Sequence, residues 1–158
     1  MKIVIISSEE FFVFVNSVYA KISDYSDKEE IIDVTKSIIS KISTRLRMRG
    51  FYKIKVLVDP AVGLFIEGVQ LENLERVNSV DLRVIVYFNE DIYFKTSDYF
   101  IIGDVPKVRY FDGDYYCLTR DIPDINKVIE FGEFVYGSSI LKMLYNSSFV
   151  WWLSFLYK

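Results

Sequence analysis

Apolar residues recur at two different periods along the chain, and the period changes near Gly50. Between Asp27 and Gly50 they recur every three or four residues, which predicts an amphipathic helix with one buried face. Asp27 and Glu30 have the spacing of a capping box, so we expect this helix to run to about Met48 and to end at Gly50. The predicted buried face consists of Ile31, Thr35, Ile38, Ile39, Ile42 and Leu46.

The N-terminal segment predicts a strand and a second helix. Lys2 to Ile6 is short and apolar, as is typical of a strand. Ser7 and Glu10 again have capping-box spacing, and the apolar residues that follow recur at helical spacing. We therefore expect a helix over Glu9–Ile22, which forms an N-terminal helical pair with the Asp27 helix.

After Gly50 the period becomes two, which is typical of strands. Asp112-Gly113 is the preferred dipeptide for a two-residue type I′ turn, so it predicts the clearest hairpin of the chain. The predicted segments are a hairpin of Tyr52–Val58 with Leu64–Leu71, a loop or helical turn over Glu72–Val80, a hairpin of Leu82–Phe88 with Ile92–Lys95, a loop over Thr96–Lys107 and a hairpin over Val108–Leu118.

Towards the C-terminus we expect a helix from Asp124 to about Tyr136, closed by Gly137, and a short helix from Ser138 or Ser139 to Tyr145. An apolar tail follows. This order predicts the α+β class: a single domain over residues 1–158, with an antiparallel sheet of hairpins packed by the N-terminal helical pair and the C-terminal helices.

The composition excludes several classes of metal, catalytic and phosphate-binding sites. Among 158 residues there is no histidine and one cysteine, Cys117. Structural zinc sites and nucleophile pairs built on histidine are therefore excluded. The seven glycines are all isolated, so there is no glycine-rich phosphate loop, and we predict no cofactor.

Positive charge is concentrated between Val34 and Val58. This stretch carries seven of the 19 cations and no acid, which leaves 12 cations against 22 acids elsewhere. Such a segment is a candidate surface for phosphate or for a partner protein, although cations near a helix C-terminus also suit the helix dipole. The candidate binding residues are Lys41, Arg45, Arg47, Arg49, Lys53 and Lys55.

Carboxylates offer the main hydrolytic alternative, because convergent acids can hold Mg²⁺ without histidine. Asp59 and Glu67 flank the first hairpin near Lys55, an arrangement that resembles the strand acids and lysine of restriction-type nucleases. Their Glu-x-Lys motif is missing, because Gly68 and Val69 follow Glu67. Asp59 and Glu67 are the candidate metal ligands under this alternative, with Lys55 as the third catalytic residue.

Aromatic residues make up 17% of the chain, and tyrosine and tryptophan are common anchors of protein interfaces. Neighbouring residues on a strand point to opposite faces. We therefore expect one residue of the pair Tyr115 and Tyr116 to lie in the core and the other at an interface, and we expect the same of Trp151 and Trp152. These four residues are the candidate interface, and we expect a homodimer.

The apolar tail Phe149–Tyr157 is too short to span a membrane, and we expect no signal peptide at the N-terminus. A lone cysteine suits the reducing cytoplasm, and the presence of only two alanines suggests a viral or mobile-element genome. We therefore expect a cytoplasmic, non-catalytic protein-binding regulator, inhibitor or adaptor, whose partner is a host protein or a second copy of itself. The alternative is a nucleic-acid-binding protein or Mg²⁺-dependent nuclease that uses residues 36–55 and the strand carboxylates.

Overall fold

The chain forms two compact units, Met1–Asn89 and Glu90–Lys158, in a computed structural model that describes residues 1–72, 80–88 and 90–150. Each unit contains a five-stranded sheet and helices. The α+β class is therefore confirmed. Two sheets replace the single sheet of the sequence prediction, and single-domain organisation over residues 1–158 stays a prediction.

The first sheet has the strand order β1-β2-β4-β3-β5. All of its pairs are antiparallel except β3 with β5, which run parallel, so the sheet is not a pure assembly of hairpins. Its strands are β1 (Lys2–Ile5), β2 (Glu10–Asn16), β3 (Gly50–Asp59), β4 (Gly63–Glu72) and β5 (Val80–Phe88), and its helices are α1 (Ser17–Ala20) and α2 (Lys28–Ile42).

The predicted helix over Glu9–Ile22 is wrong, because its first half forms strand β2. The core of β2 is an unbroken run of phenylalanine and valine, residue types that favour strands. Phe11, Val13 and Val15 pack into the apolar cluster that contains α2, whereas Phe12 and Phe14 contact Phe65. Both faces of β2 therefore carry apolar residues, and the alternation that marks a half-exposed strand is lost. The Glu10 carbonyl accepts the N–H groups of Ile6 and Ser7 at 3.0 and 3.2 Å, so Ser7 and Glu10 close a hairpin instead of capping a helix. Only the four-residue α1 remains of the first member of the predicted helical pair.

The second predicted helix is confirmed as α2, but it ends at Ile42 instead of Met48. Asp27 caps it by accepting the N–H groups of Glu29 and Glu30. The chain then turns through residues 43–47, where Arg47 has a positive φ of 52°, and this turn buries Met48 in the core. Five of the six predicted apolar-face residues are buried: Ile31, Thr35, Ile38, Ile39 and Ile42.

One face of the first sheet packs against α2. Tyr52, Ile54 and Val56 of β3 alternate with Phe51, Lys53 and Lys55 and lie in the same apolar cluster as Ile38 and Ile39 of α2. Lys53 and Lys55 therefore lie on the opposite face of the sheet, because neighbouring strand residues point to opposite sides.

The second sheet is antiparallel throughout, with the order β10-β7-β8-β6-β9. No helix within the described residues has the length and apolarity to cross a bilayer. The elements of this unit are β6 (Tyr93–Thr96), α3 (Tyr99–Ile102), β7 (Arg109–Phe111), β8 (Asp114–Leu118), α4 (Ile125–Val128), β9 (Glu133–Val135), α5 (Leu141–Asn146), β10 (Ser148–Phe149) and 3₁₀ turns at Thr119–Asp121, Ile129–Phe131 and Gly137–Ile140.

Three predictions in this region need correction. The segment Ile92–Lys95 does not return against β5 but pairs as β6 with β8 and β9, and the loop predicted over Thr96–Lys107 contains α3. The helix predicted from Asp124 to Tyr136 gives way to β9 at Gly132. At Gly132 the backbone approaches β6 so closely that a Cβ would lie 2.4 Å from the Lys95 carbonyl oxygen. The segment predicted over Glu72–Val80 lies largely outside the described residues.

Candidate partner-binding surface

Four aromatic side chains form a cluster on one face of the second sheet, which we call the aromatic cluster. Tyr110 and Tyr115 are cross-strand neighbours on β7 and β8, with ring centroids 5.1 Å apart. Tyr99 of α3 contacts Tyr115 at 5.4 Å, and Phe100 follows at 6.4 Å from Tyr99. Phe100 and Tyr110 are 72% and 42% exposed, so the two ends of the cluster are open to a partner.

Local backbone chemistry positions this cluster. Asp112 and Gly113 adopt φ values of 49° and 86°, as a type I′ turn requires, and this confirmed hairpin places Tyr110 opposite Tyr115. Asp98 caps α3 by accepting the Phe100 N–H at 3.0 Å. The Thr96 hydroxyl in turn accepts the Asp98 N–H at 3.2 Å and donates to the Phe131 carbonyl.

Tyr116 points to the other face of the sheet, as the alternation predicts. It is buried with Tyr93, Ile140 and Met143, and burial raises the pKa of its phenol. Tyr115 is therefore the member of the predicted pair that lies in the aromatic cluster. Trp151 and Trp152, the other predicted interface residues, lie outside the described residues.

The geometry and charge of the aromatic cluster indicate what it can bind. Its rings meet at interplanar angles of 52° to 75°, so they form an edge-to-face group and not the flat platform on which bases stack. Asp98 and Asp112 adjoin the cluster in the chain, and residues 90–158 carry ten acids against seven cations. This chemistry suits an apolar segment that carries positive charge.

The predicted basic residues do not share one surface. Lys41 belongs to α2, and Arg45 and Arg47 lie in the turn that follows it, on the helix side of the first sheet. Arg49 is held near that side, because its N–H donates to the Tyr52 hydroxyl and its carbonyl accepts the Gln70 amide.

Lys53 and Lys55 lie on the opposite face, where the structure adds a cation from outside the predicted basic segment. Arg83 of β5 is the neighbour of Lys53 across the parallel pair. Lys55 is paired in register with Glu67, and its ammonium lies 5.2 Å from the centre of the Tyr87 ring. This face therefore mixes cations with carboxylates and is not a uniform phosphate-binding surface.

The candidate metal ligands are also separated. Asp59 pairs with Gly63, whereas Glu67 pairs with Lys55, four residues away along the strand. At about 3.3 Å per residue this separation is about 13 Å, too far for both carboxylates to bind one ion. The Asp59 carboxylate instead accepts the Ala61 N–H at 3.0 Å within the hairpin turn. In the part of the chain that the structure describes, no three acids or cysteines are grouped to hold a metal.

Cys117 is fully buried in β8. Burial, with a smaller contribution from the Asp121 carboxylate, raises the pKa of its thiol to about 12. Because the thiolate is the nucleophilic form, this cysteine is unreactive at neutral pH.

Sequence reasoning named Tyr115 but left Tyr99 and Phe100 in a loop. The available signal was Asp98, a good N-cap residue directly before Tyr-Phe-Ile-Ile. Comparisons with known protein families, with curated proteins and with solved structures gave no significant match.

Proposed function

We propose that this chain is a non-catalytic protein-binding regulator, an inhibitor or adaptor, which binds its partner through the aromatic cluster. The observation that supports this proposal is the exposure of Phe100 and Tyr110 at the two ends of a group of packed rings. Exposed aromatic side chains held by rigid neighbours are typical hot spots of protein interfaces.

The partner segment is apolar and basic. Asp98 and Asp112 flank the aromatic cluster in the chain, and exposed tyrosine rings attract cations through their faces. Tilted rings beside carboxylates favour such a protein segment over a nucleic-acid strand. Under this proposal the protein acts in the cytoplasm, which the single buried cysteine Cys117 supports, and its source is a virus or mobile element.

The experiment starts by immobilising the full chain and capturing partners from nuclease-treated extract of the native source. The captured protein is then purified, and its dissociation constant is measured against the wild type, Phe100→Ser, Tyr110→Ser and the control Tyr145→Ser. We expect the Phe100 and Tyr110 variants to bind about 30-fold more weakly or worse, because truncating a hot spot costs about 2 kcal/mol or more.

Tyr145 is a matched control because it is 84% exposed on α5, which packs on the opposite face of the second sheet. Equal loss of binding in Tyr145→Ser and Phe100→Ser would contradict the proposed surface. Retention of nucleic acid from untreated extract, lost when Arg45, Arg47 and Arg49 are replaced by alanine, would favour the nucleic-acid-binding alternative over this proposal.

A further inference from the structure

In the part of the chain that the structure describes, strand β5 leaves one long edge of the first sheet without a neighbouring strand. Within residues 1–72, 80–88 and 90–150, β5 is hydrogen-bonded only to β3. Along its nine residues, alternate backbone N–H and C=O groups point away from β3, and such an edge is a template for pairing with another strand.

The apolar side chains of β5 are incompletely covered. Leu82, Val84 and Val86 point to the α2 side of the sheet and pack against its apolar cluster, but each stays partly exposed, whereas Ile54 and Val56 on the neighbouring β3 are completely buried. A second apolar row beside Leu82, Val84 and Val86 would therefore remove further apolar surface from water.

One end of β5 lies beside a cleft, and the other end carries an exposed aromatic side chain. At its start, a cleft of about 520 Å³ lies between α2 and β5, lined by the apolar residues Ile39, Val80 and Leu82 and by the polar residues Lys36, Ser40, Ser43 and Asp81. At its other end Phe88, on the same face of the strand, is 37% exposed. The same strand thus carries a cleft and a partly exposed aromatic side chain about 26 Å apart at its two ends.

We propose that two copies of this chain pair antiparallel through β5, centred on Val84, to form a continuous ten-stranded sheet. A two-fold axis normal to the sheet keeps the α2 faces on one side, so Leu82 of each copy meets Val86 of the other. Phe88 of each copy then lies beside Val80 of the other, at the cleft. An interface that is complementary to itself in this way closes as a dimer and removes the open edge.

The opposite face of the sheet is compatible with this register. Asp81 of one copy faces Tyr87 of the other, whose hydroxyl can donate to the carboxylate, and Arg83 faces Ile85. No two like charges lie directly opposite each other, an arrangement that would destabilise a strand pair.

The first test is sedimentation equilibrium on the full chain, with circular dichroism to check folding. We expect the wild type to sediment as twice 18.6 kDa. Val84→Lys, which places an ammonium group on the apolar row of each copy at the axis, should raise the dimer dissociation constant about 100-fold or more. The matched control is Val4→Lys on the opposite edge strand β1, where Val4 is 38% exposed, and it should remain dimeric.

Cysteine crosslinking fixes the register even if Val84→Lys fails to fold. Directly opposite side chains lie within disulfide reach, so Val84→Cys should form a covalent dimer under mild oxidation, whereas Leu82→Cys, about 13 Å from its counterpart, should not. A monomeric wild type, a dimer that survives Val84→Lys, or crosslinking through Leu82→Cys and not Val84→Cys would each overturn the proposal.

Discussion

Replacing Phe11 by alanine is expected to lower the free energy of unfolding by about 3–5 kcal/mol, the usual cost of removing a buried phenylalanine. Phe11 is 4% exposed, and its ring contacts Tyr52 at a centroid distance of 6.2 Å. The ring also covers Gly68, its cross-strand neighbour on β4. Urea denaturation followed by circular dichroism measures the change.

Gly68→Ala provides the second arm of a double-mutant cycle. A Cβ at position 68 would lie 2.2 Å from the Phe11 ring, so this variant should lose about 1–3 kcal/mol through overpacking, although strand propensity alone predicts a gain. In the background of Phe11→Ala the clash disappears, and we expect Gly68→Ala to be neutral or stabilising there. Additive losses in the double variant would contradict the packing of Phe11 over Gly68.

Raising the pH from 9 to 11 is expected to lower the free energy of unfolding by about 2 kcal/mol through Cys117 alone. The folded state holds the pKa of the thiol near 12, above its ordinary value of 9.0. In this interval the unfolded chain therefore binds fewer protons than the folded chain, so stability falls as the pH rises. The effect is absent below about pH 8, where the thiol is protonated in both states.

The measurement is the urea midpoint between pH 8 and pH 11 for the wild type and for Cys117→Ala. The alanine variant should show a flatter pH dependence, most clearly between pH 9 and pH 10, where the tyrosines contribute less than they do at pH 11. Burial raises the pKa values of Tyr93 and Tyr116, which adds a loss of stability at higher pH in both proteins. Identical pH profiles for the two proteins would rule out the contribution of Cys117.

The predictions from sequence were most accurate where interactions between residues close in the chain determine the structure. Helix α2 combines the Asp27 cap with a regular apolar face, and the Asp112-Gly113 turn selects a hairpin in almost any context. Both features depend on residues within one turn or one helical repeat of each other, so no distant contact was needed to find them.

The failures occur where distant contacts decide. Glu10–Asn16 is a strand because β4, some 50 residues later in the chain, covers its second side, and Gly132 ends a helical segment because β6 lies against it. In the aromatic cluster, too, local features were predictable and distant contacts were not. The strand alternation that separates Tyr115 from Tyr116 was predictable, but the packing of Tyr99 on Tyr115 depends on how α3 folds back on its sheet.

The central position of β2 also has a consequence during synthesis. Its partner β1 precedes it, but β4 begins 47 residues after β2 ends, which takes roughly 2–10 s at 5–20 residues per second. During that interval Phe11 to Val15 present one unpaired, strongly apolar edge on the nascent chain, a typical site of aggregation. Folding of the first sheet therefore waits for a long-range pairing, which favours slow folding and prolongs the exposure of this edge.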